Sequence, residues 1–513
     1  MRPVETAPAT AIVVCLVVLA LLPWAWSRTE KRSLVSFMVG LSAIGLVLAG
    51  SITISWDRES ALGQIGLAAV TAAVVWIASR ATPSPRFLRA WALLISLLAL
   101  WAVWQTAFGF DLAMDQLELL PEHLQHNAQQ RLAGGRAFGP LLLPGHLAVM
   151  LASAFPVLVT GLRRSAAGVA CAVGVGLCVV GLWLTSSPVG IGLATCAGLA
   201  LVIIRRSEWK LQAALVALAV VAALSLSARS DVRRLEPVRL RIDNARTALW
   251  LASTSPLCGV GLGSYGQASR AVPFEVGNRP AHAHNMVLEW LAELGVIGAA
   301  LWLLLMLWLG RLALALRRDH PWAAIALVFV PLHNLVDFSL YTAGVAIPWA
   351  VLAGGCAALA RPAAQVERRA PGRAWAVAAA SLAVAGSILL TVSVDAERTA
   401  LGMTEPVQRA ETLRIAHRIA PWRMEPALGI AAAALESHDP ERMAEALRMV
   451  AARRWLRPSS GSLASACTEL DLGLGAVHWA LAESWAAFYA QPYLESRRER
   501  FEQLATGGRS WPR

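Results

Sequence analysis

Apolar runs of about 18 to 25 residues recur from Ala11 to Val394, and each is long enough to cross roughly 30 Å of hydrocarbon as a helix. A helix in lipid satisfies its own backbone polar groups, so a series of such runs fixes the kind of fold before any other feature is read. The 513 residues are 57% hydrophobic and 15% charged, too apolar for a water-soluble protein of this length. Residues 1–394 are therefore expected to form an all-α, polytopic membrane helix bundle of about 12 spans, centred near residues 18, 43, 70, 98, 151, 175, 195, 218, 298, 330, 351 and 383. Beyond them the composition changes. Residues 395–513 mix apolar stripes with charge and break at Pro421, Pro440 and Pro458, which predicts a soluble α-helical domain. Asp439-Pro440-Glu441 reads as a capped helix start within it. Its Ala-rich helix pairs are tetratricopeptide-like, without a clean repeat period.

Formal net charge is +12, and every basic residue except Lys31 and Lys210 is arginine. A compositional bias alone would give that surplus, so its distribution matters more than its size. Basic clusters such as Arg86/Arg89, Arg163/Arg164, Arg205/Arg206 and Arg317/Arg318 fall in alternate connections, which the positive-inside rule assigns to the cytoplasm. The opposite side then carries both termini and two long polar segments, about 110–140 and 228–283. The second is rich in arginine and presents a cationic surface to anionic lipid head groups or substrates. The C-terminal domain is expected on that same outer side.

The chemistry-bearing residues gather where the second segment meets the next apolar run. Ala281-His282-Ala283-His284-Asn285 leads into a predicted long helix from Met286 to Gly310, with Glu289 one turn inside. A neutral imidazole accepts a proton near pH 7, so His284 is a candidate general base. Asn285 can orient a hydroxyl or cap the helix, and a plain interfacial cap accounts for the same residues equally well. Guanidinium forks match phosphate oxygens, which makes Arg241 and Arg246 candidates for gripping a pyrophosphate, against a solvated charged patch as the plainer account. Gly259, Gly261 and Gly263 suit a tight turn approaching a ligand. His333 and Asp337 sit within an apolar stretch, where ionisable groups face a cavity or a partner. His123, His126 and His146 read as polar loop residues, and no metal or other cofactor is expected.

Four stretches, in order, resemble the O-antigen ligase and O-antigen polymerase superfamily. They are Arg136-Ala137-Phe138-Gly139 running through Pro144 to Ala148, Arg246 to Trp250 followed by Pro256 to Tyr265, His284-Asn285 with Gly295 and Gly298 further along, and His333 to Phe338. Where many members carry Ser-Arg-Gly at the start of a span, this chain has Ser187-Pro188-Val189-Gly190. The resemblance implies a glycosyltransferase of the bacterial cytoplasmic membrane, acting on its outer face in lipopolysaccharide or other surface-polysaccharide synthesis. The donor would be a glycan on a polyprenyl pyrophosphate such as undecaprenyl pyrophosphate. The acceptor would be a glycan, lipid or protein hydroxyl. Membrane lipids are the other partners, and nucleic acid is not one. His284 would be the catalytic base. Arg246, Arg136 and Arg241, with Asn285 and Glu289, would bind substrate, supported by Gly261, Gly263, His333 and Asp337, in an inverting, metal-independent transfer. A multispan glycan or lipid transporter and a catalytically inactive membrane scaffold are the competing expectations.

Overall fold

The computed structural model describes residues 55, 58–79, 84–115, 129, 132–141, 143–162, 165–205, 236–273, 281–361, 392, 395–397, 399–400, 402–419, 425–456, 461–474, 476 and 480. Among them the chain is helical and contains no strand. Expected spans near residues 18, 43, 218 and 383 lie outside the described residues, as do residues 116–128 and 130–131 of the 110–140 segment. The other expected spans correspond to helices: α1 (Arg58–Ser79), α2 (Pro85–Met114), α3 (Pro144–Val159), α4 (Ala166–Thr185), α5 (Pro188–Arg205), α8 (Val296–Leu316), α9 (Pro321–His333) and α10 (Ala343–Leu359). Four candidate membrane spans, Ser60–Ser79, Pro85–Met114, Ala166–Thr185 and Val296–Leu316, are long and apolar enough by themselves to cross a bilayer.

Helix α3 is the axis of the bundle. It packs against α2, α4, α5 and α9, and its side chains from His146 to Val159 are all buried. Small residues permit this crowding, because Ala148, Ala152 and Ala154 let neighbouring backbones come close. Gly190 of α5 rests directly on Ala148, leaving no space for a Cβ. Prolines inside these helices are compensated from across the bundle. Pro331 has no amide hydrogen to offer the carbonyl of Leu327, and the Trp349 indole of α10 donates to that carbonyl instead, at 3.1 Å.

The predicted helix from Met286 to Gly310 is in fact two. It divides at Gly295 into α7 (Met286–Leu294) and α8. Gly295 has φ 64 and ψ −151, a region open essentially to glycine alone. The break lets the turn Pro256–Gly263 dock into the gap: Val296 N donates to Pro256 O, Val260 N to Ala292 O and Gly261 N to Glu293 O, each at 2.9 Å. The glycines of that turn thus approach protein backbone. A Cβ on Gly259 would strike the Glu293 carbonyl, and one on Gly263 would stand 2.7 Å from Ala61 N. Gly261 and Gly263 hold the turn against α7 and α1, and support the site from behind.

The outer segment 228–283 supplies α6 (Glu236–Thr254). Its inner face, Asn244, Thr247, Ala248 and Leu251, packs with Tyr265, Ala268, Ala283 and Ala292. Tyr265 is fully buried and ties the layers together through its hydroxyl, which donates to Asn244 O at 3.1 Å. Helices α11 (Pro406–Ile419), α12 (Glu425–Ser437), α13 (Pro440–Leu456) and α14 (Gly461–Gly473) pack around Leu413, Ile430, Met443, Val450 and Leu470. Asp439 caps α13, its Oδ1 accepting from Glu441 N at 2.9 Å.

Candidate functional site

Three connections meet at one end of the bundle: the start of α3, the 281–285 loop ahead of α7, and residues 334–342 between α9 and α10. Asn334 binds two of them. Its carbonyl accepts from Met286 N at 2.8 Å, and its side chain takes Leu340 N at 3.1 Å and donates to Ser339 Oγ at 2.9 Å. Gly145 at the first turn of α3 completes the junction, for a Cβ there would lie 2.9 Å from Asp337 Oδ2. Glycine at this position is what allows the helix to press against the carboxylate.

Asp337 is the centre. His284 Nδ1 and His333 Nε2 each lie 3.5 Å from its carboxylate, and His146 Nε2 lies 3.9 Å away. Burial pushes the carboxyl of Asp337 up, but the hydrogen bond to His284 and the nearby His333, His146 and His284 rings more than offset this and hold it well below the usual carboxylate range. Sequence reasoning placed His146 in a polar loop. It is instead fully buried in α3, and its Nε2 has no hydrogen-bond partner among the described residues. A histidine in the first turn of an apolar run gives no local sign of which face it will occupy.

His284 itself has φ 53, a backbone conformation that costs of order 1–3 kcal/mol in a residue with a Cβ. Its side chain is 30% exposed while that of Asp337 is 10% exposed. Asn285 takes the capping role, its Oδ1 accepting from Leu288 N at 3.1 Å. Glu289 is fully buried and commits one oxygen to His282 Nδ1 and the other to Ala283 N, both at 2.7 Å. Its α-helical position, one turn inside α7, aims it back at the loop that precedes the helix. The His282 ring is stacked on Phe338 at 4.2 Å, and His284 meets the same phenyl edge-on at 4.9 Å.

The three arginines are treated differently by the fold. Arg241 lies on the inner face of α6 and its Nε donates to Val336 O at 3.2 Å, beside Asp337. Arg246 is five residues further along, about 140° around a helix, and is exposed on the stripe that also carries Ile242 and Leu249. Arg136 donates from Nε to Thr185 O at 3.1 Å, at the end of α4 that adjoins Ser187-Pro188. Its loop is held by Gln105, whose Oε1 accepts from Phe138 N and Gly139 N at 3.0 and 2.8 Å. Gln105 opens a π-helical turn in α2, a device that re-aims a side chain without ending the helix. His284, His333, Asp337 and Arg241 are thus brought together, Arg136 stands at the same end of the bundle, and Arg246 faces outward.

Among the described residues no group of three or more His, Cys, Asp or Glu side chains is arranged to hold a metal ion. What the arrangement offers is an imidazole oriented by a carboxylate, partly open to solvent, beside a guanidinium.

A comparison with curated proteins found no match. The family model described as O-antigen ligase does match, over residues 148–303. That interval runs from α3 through α6 and the His284-Asn285 junction into α8, so it includes Arg241, His282 and His284, whereas His146, His333 and Asp337 lie outside it. Similarity to this family suggests a membrane enzyme of the glycan-transferring kind. The match over residues 148–303 supports assigning that part of the chain to the O-antigen ligase superfamily.

Proposed function

We propose that the protein transfers a glycan from a polyprenyl pyrophosphate carrier to an acceptor hydroxyl at the extracytoplasmic face of the membrane, with inversion and without a metal. The observation that carries this reading is the placement of His284 Nδ1 at 3.5 Å from Asp337 Oδ1 with the ring still 30% exposed. A carboxylate on Nδ1 fixes the tautomer, so Nε2 presents its lone pair to a hydroxyl. The contact is long, as catalytic hydrogen bonds are before substrate binds. His284 takes the proton of the acceptor hydroxyl while its oxygen attacks the anomeric carbon, and the bond to the pyrophosphate oxygen breaks on the other side.

Pyrophosphate needs little help as a leaving group beyond stabilisation of its charge. Arg241, held at the Val336 carbonyl beside Asp337, takes that role with Arg136. Arg136 lies at Thr185, two residues before Ser187, and so supplies positive charge at the corner where Pro188 stands in place of an arginine. Arg246, exposed beside Ile242 and Leu249, meets the carrier or the lipid head groups around it.

The test is His284→Ala and Arg241→Ala in a host whose surface polysaccharide is scored. Both variants are expected to express and to abolish transfer. Carrier-linked repeats will accumulate if the enzyme polymerises, and finished unattached polymer will accumulate if it ligates. Wild-type glycan assembly by both variants sinks the proposal.

A further inference from the structure

The transfer proposed above has two electrostatic demands, a proton leaving the acceptor and negative charge growing on the departing diphosphate, and one imidazole serves only the first. The fold holds a second imidazole in the same manner as His284. His282 Nδ1 is 2.7 Å from Glu289 Oε1, a shorter contact than His284 makes with Asp337. Glu289 is fully buried, and Ala283 N occupies its other oxygen, so this carboxylate has no other orientation available. The His282 ring stacks with Phe338 at 4.2 Å and Tyr341 at 5.2 Å, at interplanar angles of 23° and 21°. Its side chain is 26% exposed, and no partner occupies its Nε2 among the described residues. The ring is therefore fixed at one nitrogen and presented at the other.

Building on that reading of the site, we propose that His282, clamped by Glu289 and acting as the doubly protonated imidazolium, donates a hydrogen bond from Nε2 to the leaving diphosphate, while the singly protonated His284 receives the acceptor proton. No additional reactant is needed. The acceptor oxygen–carbon bond forms, the carbon–oxygen bond to phosphate breaks, the electron pair leaves with the phosphate oxygen, and His282 stabilises that oxygen without surrendering its proton. A ring whose Nδ1 donates to a buried carboxylate forms a charge-assisted pair, and its protonated form carries a second donor at Nε2. Glu289 is in this scheme a positioning residue, acting through His282.

The experiment uses the full chain in lipid nanodiscs, with farnesyl pyrophosphate and farnesyl monophosphate as binding probes and glycan transfer as a parallel readout. His282→Ala is expected to weaken farnesyl pyrophosphate binding about tenfold, the size of one charge-assisted hydrogen bond, and to leave the monophosphate little changed. His282→Gln keeps a donor and should recover most of the diphosphate affinity. Glu289→Gln should lose the same preference for the diphosphate, which a purely structural role would not touch. His284→Ala should bind the diphosphate normally and fail in transfer. If Arg241→Ala loses diphosphate binding and neither His282 variant differs from wild type, the role of His282 is overturned and the transferase reading stands. If the wild-type chain binds no farnesyl pyrophosphate, both fail together.

Discussion

Asp337 illustrates how one residue can gather a site. Alone in an apolar environment a carboxyl would stay protonated, yet contact with His284, His333 and His146 keeps it ionised. Its folded value is depressed, so the stability it contributes is fully present above the ordinary carboxylate range, near pH 4, and is lost as pH falls towards the lower folded value. Asp337→Asn should therefore flatten the acid side of a plot of thermal midpoint against pH. A wild-type and variant curve of identical shape below about pH 4 would contradict this. At neutral pH the same variant leaves His284 without its orienting charge and should slow transfer by roughly 10²- to 10⁴-fold, measured on enzyme shown to be folded.

At the scale of elements, the two-part helix around Gly295 decides where His284 can be. An uninterrupted helix from Met286 would leave no gap for Pro256–Gly263, and that turn is what anchors the layer containing Tyr265, α6 and Arg241. Gly295→Ala is expected to cost about 1–3 kcal/mol from backbone strain alone, and the added Cβ would also run into the Leu257 carbonyl. Gly310→Ala is the control, since that glycine lies in α8 with nothing within 4 Å of an added Cβ. It should be neutral or stabilising by up to about 1 kcal/mol. Thermal unfolding of the two variants side by side checks the pair, and equal midpoints would show that the break is dispensable. Hydropathy marked both glycines as members of one apolar run, because composition does not report which of them adopts positive φ.

Across the whole molecule the candidate site and the basic connections lie at opposite ends of the helices. Arg86 and Arg89 begin α2, Arg205 ends α5, Arg317 and Arg318 follow α8, and Arg361 follows α10, reaching Ser79 of α1 at 3.4 Å. His284, Asp337 and the start of α3 occupy the other end. Under the positive-inside rule this arrangement supports the proposal that the site lies outside the cytoplasm. In a cysteine-free background, Ser253→Cys on the exposed face of α6 should react with a membrane-impermeant thiol reagent in cells whose cytoplasmic membrane is intact. Arg318→Cys should react only after that membrane is permeabilised. The reverse pattern would invert the proposed topology.

Sequence alone determined that the chain is a helical membrane protein, that α13 starts at a capped Asp-Pro pair, and that a polar junction at His284-Asn285 interrupts the apolar runs. Those are local properties: a hydrophobic length, a cap and a polar break between apolar runs are all read within some twenty residues. Only the tertiary structure decided that Asp337 collects three imidazoles, that Arg241 turns inward where Arg246 turns out, and that Glu289 reaches back to His282. Each of those facts depends on which faces of distant helices are pressed together. Small residues such as Gly145 and Ala148 set how closely they approach, and neither charge nor periodicity along the chain encodes that distance.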